Sequence, residues 1–302
     1  MSSPRLRASS LVSSTPSGGA GAVARALGGG LVMAVALGVG TGFGPALADA
    51  AGLDQLPARL VPAVLVTAVA VPLILRTARR GSLGFGRPGP SLRAFLTGAG
   101  VTGAAAALVL GAGTAVGMLD WARPDVTALA GFLLSNSVVA FLLEALPEET
   151  TLRGYTWTSL RERFGAAASA LGTTAVFLMV PGASTAVQAG AARLFGDDSP
   201  PIGLAPGGQN PVDYLVLLTV FGLMLVAART AVTEAPLWAA IGAHLTFLTV
   251  NRIVLEGDER GAGLSVERTT PDAPLLVPAY LLVATVVFVA AGRIARRASR
   301  EP

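Results

Sequence analysis

The 302-residue sequence has no cysteine, no lysine and a single histidine, His244. Without cysteine there can be no disulfide, thiolate metal site, iron–sulfur cluster or cysteine nucleophile. One histidine leaves little for a metal centre. Charge is scarce as well: 13% of residues are charged, against about a quarter in an average soluble domain. Apolar residues fill the gap, at 52% of the chain with a mean hydropathy of +0.64. These values exclude a soluble enzyme and predict an integral membrane protein. All 22 basic residues are arginines. Their placement reads as membrane orientation, so the basic pI is assigned to topology and no nucleic-acid partner is expected.

A spanning helix needs about 20 mostly apolar residues. Eight segments qualify: Ala26–Ala48, Leu60–Leu75, Ala94–Leu119, Val126–Leu146, Gly165–Val187, Val212–Ala228, Ala235–Leu255 and Ala273–Gly292. The predicted fold class is therefore all-α, a polytopic transmembrane helical bundle of about eight spans. Arginines alternate between connections as cytoplasmic loops require. Arg5, Arg7 and Arg25, then Arg76, Arg79, Arg80, Arg87 and Arg93, then Arg293, Arg296, Arg297 and Arg300 lie on one side. Asp49, Asp54, Asp120, Asp125, Asp197, Asp198, Glu256, Asp258, Glu259, Glu267 and Asp272 fall on the other. Both termini are predicted to be cytoplasmic, in a multi-pass protein of a bacterial plasma membrane.

Residues 1–25, rich in Ser, Gly and Ala, read as a disordered cytoplasmic tail. Spans one to three occupy 26–125. Residues 256–302 read as an extracytoplasmic loop, the last span and a basic cytoplasmic tail. The connections Gln188–Pro211 and Glu256–Asp272 read as irregular. Ala46-Leu47-Ala48 before Asp49 has the small-x-small form of a signal-peptidase site, although the long basic region and seven further spans favour an uncleaved helix.

Ionisable residues inside spans are costly and mark functional sites by default. One cluster, Glu144, Glu148, Glu149 and Arg153, surrounds Pro147 at or just past the inner end of the fourth span. Proline suits a helix start or kink, so the acidic pair is expected to open a helical turn whose dipole favours negative charge. Glu149 and Arg153, four apart with the acid first, form a favourable ion pair on one helix face. Glu148 points about 100° away, on the side of Glu144 and Leu152. It lacks an obvious cation and suits a general base for water. The competing reading is a charge network that fixes a helix end. His244 lies within the seventh span, where a histidine serves either as a helix–helix hydrogen bond or, if it meets the acidic cluster, in catalysis.

The run Glu148-Glu149-Thr-Thr-Leu-Arg153-Gly154, continuing through Leu160-Arg-Glu-Arg-Phe164-Gly165, resembles the first motif of the CPBP intramembrane proteases. This family includes the CAAX prenyl proteases and the bacteriocin-processing and immunity proteins of Abi type. The resemblance covers about residues 126–255, which would form the protease core. It implies that Glu148 activates water, that Glu149 and Arg153 hold the motif in place, and that His244 donates to the oxyanion. Two positions depart from the family pattern. Phe177-Leu-Met-Val-Pro181 places proline where the second-motif histidine belongs, and His244-Leu-Thr-Phe-Leu248 places leucine where the third-motif Asn or Asp belongs. Asn251, seven residues past His244, lies within about 20° of its face but roughly 10 Å further along the axis. Ser184, Gln188 and Asn251 are the polar residues that could occupy the vacancy. Zinc, suggested by the family's older naming alone, lacks ligands in a chain with one histidine and no cysteine, so no cofactor is expected.

The leading expectation is a CPBP-type endopeptidase homologue with a degenerate active site. Glu148 and His244 would face each other in a water-filled cavity open toward the cytoplasm. Its partners would be the lipid bilayer and a membrane-embedded or membrane-proximal peptide substrate. The alternative is a catalytically inactive, protease-derived scaffold or immunity-type binding protein. A transporter with a proton relay finds no support, since no broken helices occur in matching halves.

Overall fold

The computed structural model describes residues 18–79, 81–195, 201–205 and 209–298. Among these, eight helices are long and apolar enough to cross a membrane. They are α1 (Gly19–Ala50), α2 (Gln55–Thr77), α3 (Pro88–Ala115), α4 (Val126–Arg161), α5 (Ala166–Phe195), α6 (Pro211–Ala231), α7 (Pro236–Glu256) and α8 (Leu276–Ala298). The protein is an all-α, integral, multi-pass bundle. Its only strands among the described residues, β1 (Leu119–Trp121) and β2 (Val266–Arg268), pair antiparallel at one end.

Local chemistry sets the helix ends. Prolines at 88, 211 and 236 start α3, α6 and α7, where the missing N–H costs nothing. Asp125 caps α4 by accepting from the Thr127 and Ala128 amides, both at 3.0 Å. The third span ends at Ala115, short of the expected Leu119. Gly117, at φ +76°, turns the chain left-handed, and the Met118 N–H reaches back to the Gly113 carbonyl at 2.8 Å.

Contacts between the connections sort the ends of the helices into two faces. On one face Arg25 pairs with Glu162 at 2.6 Å, Thr158 donates to the Ser82 carbonyl, Arg229 to the Leu83 carbonyl and Arg296 to the Thr230 carbonyl. On the other, the β1–β2 ribbon joins the α3–α4 and α7–α8 connections, and the Asp125 amide donates to the Gly263 carbonyl at 2.7 Å. Between the faces, α3 and α7 pack backbone to backbone. A Cβ on Gly98 would strike the Ala239 carbonyl, and one on Gly242 the Phe95 carbonyl. Small residues permit such approach in lipid, where packing rather than hydrophobicity holds helices together. Gly98→Val is expected to separate this pair and cost about 1–3 kcal/mol, seen as a lowered thermal unfolding midpoint in detergent. An unchanged midpoint would contradict the packing described.

Four expectations need correction. Helix α1 already includes residues 19–25, because the Gly/Ala run after Pro16 contains no breaker; residues 1–17 of the expected tail lie outside the described residues. Helix α5 runs on through 188–195, since that Ala-rich stretch continues the helical pattern, and of the rest of the expected 188–211 loop the described residues 201–205 and 209–210 are non-helical while Pro211 opens α6. The expected irregular 256–272 connection contains β2, held by its partner strand. Finally, the fourth span does not end near Pro147. It continues to Arg161 by widening into π-helical turns at Phe141–Ala145 and Glu149–Thr156, on either side of the proline. Proline removes one N–H and crowds the carbonyl four residues back, and the wider i→i+5 turn relieves both. The carbonyls loosened there find hydroxyls: Thr67 of α2 donates to Leu142, Thr150 to Leu146 at 2.7 Å and Thr151 to Pro147 at 2.9 Å. Glu148 and Glu149 therefore sit within a continuous helix, and no free helix N-terminus supports their charge.

Candidate active site

The second π-helical turn of α4 is almost wholly buried, an unusual fate for a segment carrying Glu, Thr, Thr and Arg. Glu149 lies at its centre. Its Oε1 accepts from Arg153 Nη1 at 3.2 Å and lies 2.8 Å from His244 Nδ1 of α7. All three side chains are at most 2% exposed. A carboxylate engaged by a guanidinium acts as an acceptor, so the proton of this contact is assigned to Nδ1, leaving Nε2 as the ring's other nitrogen. Aromatic rings complete the enclosure. The Arg153 guanidinium lies 4.6 Å from the centre of the Phe177 ring, and the edge-on Phe221 ring packs 4.9 Å from that of His244.

Glu148 is placed differently. Its side chain makes no hydrogen bond or ion pair among the described residues, and it lines a cavity of about 580 Å³ that His244, Phe177 and Phe221 also line. Glu144, one turn earlier, is held by Arg252 of α7, which also donates to Asn136 Oδ1 at 2.9 Å. The sequence reading left Glu148 without a cation and set Glu144 on its side; in the fold Arg252 pairs with Glu144 and leaves Glu148 without an ion pair among the described residues.

The two positions that depart from the family pattern, Pro181 and Leu248, both stand on the cavity wall with Glu148 and His244. Neither side chain can donate a hydrogen bond. Of the three polar residues considered for the vacancy, Ser184 and Asn251 line the cavity and Gln188 does not. The Ser184 hydroxyl donates to the Pro181 carbonyl at 2.8 Å. Asn251 Oδ1 accepts from the buried Tyr280 hydroxyl at 3.0 Å, which leaves its amide NH₂ as donor. Tyr214 of α6 lines the same cavity and was not singled out from the sequence, where it appears as one aromatic in an apolar span. Arg252 was passed over in the same way, although its place inside a span was the available signal. Among the described residues no three His, Asp or Glu side chains converge to hold a metal. The donor set does not fit zinc.

The cavity lining includes Gly203, Ala205, Gln209, Glu256 and Arg260. These belong to the face of the β1–β2 ribbon, opposite the one that carries Gly19 and Ala298. The connections on that opposite face contribute no residue to the lining among the described residues, and there Ser82, Leu83 and Gly84 are tied to Thr158, Arg229 and the Leu237 amide.

Residues 130–250 match the family model described as type II CAAX prenyl endopeptidase Rce1-like. This stretch spans the motif, both substituted positions and His244. The chain carries an Rce1-like domain. This match supports the resemblance to the CPBP intramembrane proteases read from the Glu-Glu-x-x-x-Arg run. Comparison with curated proteins and with solved structures gives no significant match. The matched stretch covers most of α4 and of α7, with α5 and α6 between them, the helices that contribute most of the cavity lining.

Proposed function

We propose that the protein is an intramembrane endopeptidase in which Glu148 activates water against a peptide carbonyl held in the cavity. The observation that carries this reading is the division of labour between adjacent acids. Glu149 is committed through Oε1 to Arg153 and His244, whereas Glu148 lines the cavity with no hydrogen-bond or ionic partner among the described residues. A base must reach water and be free to take its proton. In the reaction, the water oxygen attacks the carbonyl carbon, its proton passes to Glu148, and Glu148 returns that proton to the leaving nitrogen as the C–N bond breaks. With Nδ1 turned to Glu149, His244 donates to the developing oxyanion from Nε2 when the ring carries both protons. Glu149 orients the ring and balances that charge, and Arg153 fixes Glu149, as a carboxylate does for a catalytic imidazole elsewhere.

Pro181 and Leu248 favour a second reading, a binding protein that keeps the fold and has given up the chemistry. Peptides from membranes of cells producing the wild-type chain or Glu148→Gln at equal levels separate the two. The endopeptidase reading expects cleavage products near transmembrane segments in the first set and at least a hundredfold fewer in the second. Identical sets from two folded proteins would favour the binding protein.

A further inference from the structure

Arginines predominate on one face and acids on the other, with Glu162 among the exceptions on the first and Arg123, Arg260 and Arg268 among those on the second. The face with Gly19 and Ala298 carries Arg76, Arg79, Arg161, Arg163, Arg293 and Arg297, whereas the ribbon face carries Asp49, Asp120, Asp125, Glu256, Asp258 and Asp272. Arginine-rich connections stay in the cytoplasm. The cavity lining reaches the acidic face at Glu256 and Arg260 and takes no described residue from the arginine-face connections, where Ser82–Gly84 is bound across α4 and α6 with the Leu83 side chain against Gly154. We infer that the site is reached from the extracytoplasmic side and takes the outer juxtamembrane stretch of a membrane-anchored polypeptide. A lipidated C-terminus presented from the cytoplasm would meet the arginine face. This inference rests on the endopeptidase reading for its substrate and on the cavity alone for its direction.

Two further features match such a substrate. His244 lies twelve residues before the outer end of α7 at Glu256, a depth of about 18 Å. An extended chain covers that in about five residues, so cleavage falls about five residues inside the outer end of the substrate's span. The cavity also adjoins a groove of about 670 Å³ between the outer ends of α6 and α8. The two share Gln209, Tyr214, Leu217, Leu255 and Glu256 as lining residues. Val216, Leu275 and Val277 make that groove apolar, which suits a chain arriving from lipid with its outer end unwound.

The absence of cysteine makes the direction measurable, since any introduced thiol is the only one. Thr185→Cys places a thiol on the cavity wall, and Gly89→Cys places one on the arginine face, where an added Cβ meets nothing within 4 Å. Intact cells are treated with a membrane-impermeant charged thiosulfonate, and labelling is compared before and after permeabilisation. The inference expects Thr185→Cys to be labelled fully in intact cells and Gly89→Cys at least tenfold more after permeabilisation. Labelling of Gly89→Cys but not Thr185→Cys in intact cells overturns it, as does a Thr185→Cys thiol that reacts only after permeabilisation. Labelling needs no catalysis. If the direction holds while Glu148→Gln leaves the membrane peptides unchanged, the endopeptidase reading fails and the outward-facing cavity stands.

Discussion

Glu149→Ala is expected to be among the most destabilising single substitutions in the chain, at about 3–5 kcal/mol, because it removes one partner of a buried charge network and strands the others. Glu149 is 0% exposed, and so is Arg153. Arg153 Nε and Nη2 already have no hydrogen-bond partner, so the contact with Glu149 is its one ionic anchor besides the Phe177 ring. Removing the carboxylate leaves a guanidinium deep in the bundle and frees the His244 ring to turn. Glu149→Gln keeps an acceptor and fills the same space, so it is expected to lose less stability while still impairing cleavage. Thermal unfolding in detergent, followed by the intrinsic fluorescence of the three tryptophans, measures both. A loss within about 0.5 kcal/mol for Glu149→Ala, the range of an ordinary surface change, would mean that the network does not hold the site together.

The second large effect is a gain. Pro181 and Leu248 line the cavity, at the positions where the proposed endopeptidase reading puts donors to an oxyanion, and each missing donor typically costs about a hundred- to a thousandfold in rate. The pair Pro181→His and Leu248→Asn is therefore expected to raise cleavage by at least a hundredfold. Position 181 lies inside α5, where a residue with an N–H suits the helix better than proline does. Leu248 is half-buried against the core, so its amide replacement gives up some apolar contact for the donor. Time courses of membrane peptide products from the double variant and the wild type give the ratio. No gain from a folded double variant would show that the wall at 181 and 248 is not where the carbonyl oxygen sits.

Much of this architecture is legible from sequence because its causes are local. Eight apolar runs of bilayer length give eight spans, and an acid four residues before an arginine gives the Glu149–Arg153 pair even within a π-helical turn. What was not legible depends on groups far apart in the chain. The third member of the network, His244, is 95 residues from Glu149, and the partner of Glu144, Arg252, is 108 residues away. Helix periodicity says which residues share a face, but not which helix that face meets. Pro147 was read as a terminus because proline usually ends or kinks a helix. Hydroxyls from Thr67, Thr150 and Thr151 instead carry α4 past it. The ties of the Ser82–Gly84 connection to Thr158, Arg229 and Leu237 were illegible for a related reason, since their partners lie far along the chain.

The central claim is that hydrolysis in this cavity runs through the Glu148 carboxylate. Its most direct test places Glu148→Gln in the Pro181→His, Leu248→Asn background, where the reaction is fast enough for its loss to be seen whatever the wild-type rate. Product formation by this triple variant should fall to the level of cells without the protein, with the unfolding midpoint of the double variant retained. Cleavage continuing at the double variant's rate would mean that another group activates the water, and that the unpartnered glutamate beside the buried network is not the base.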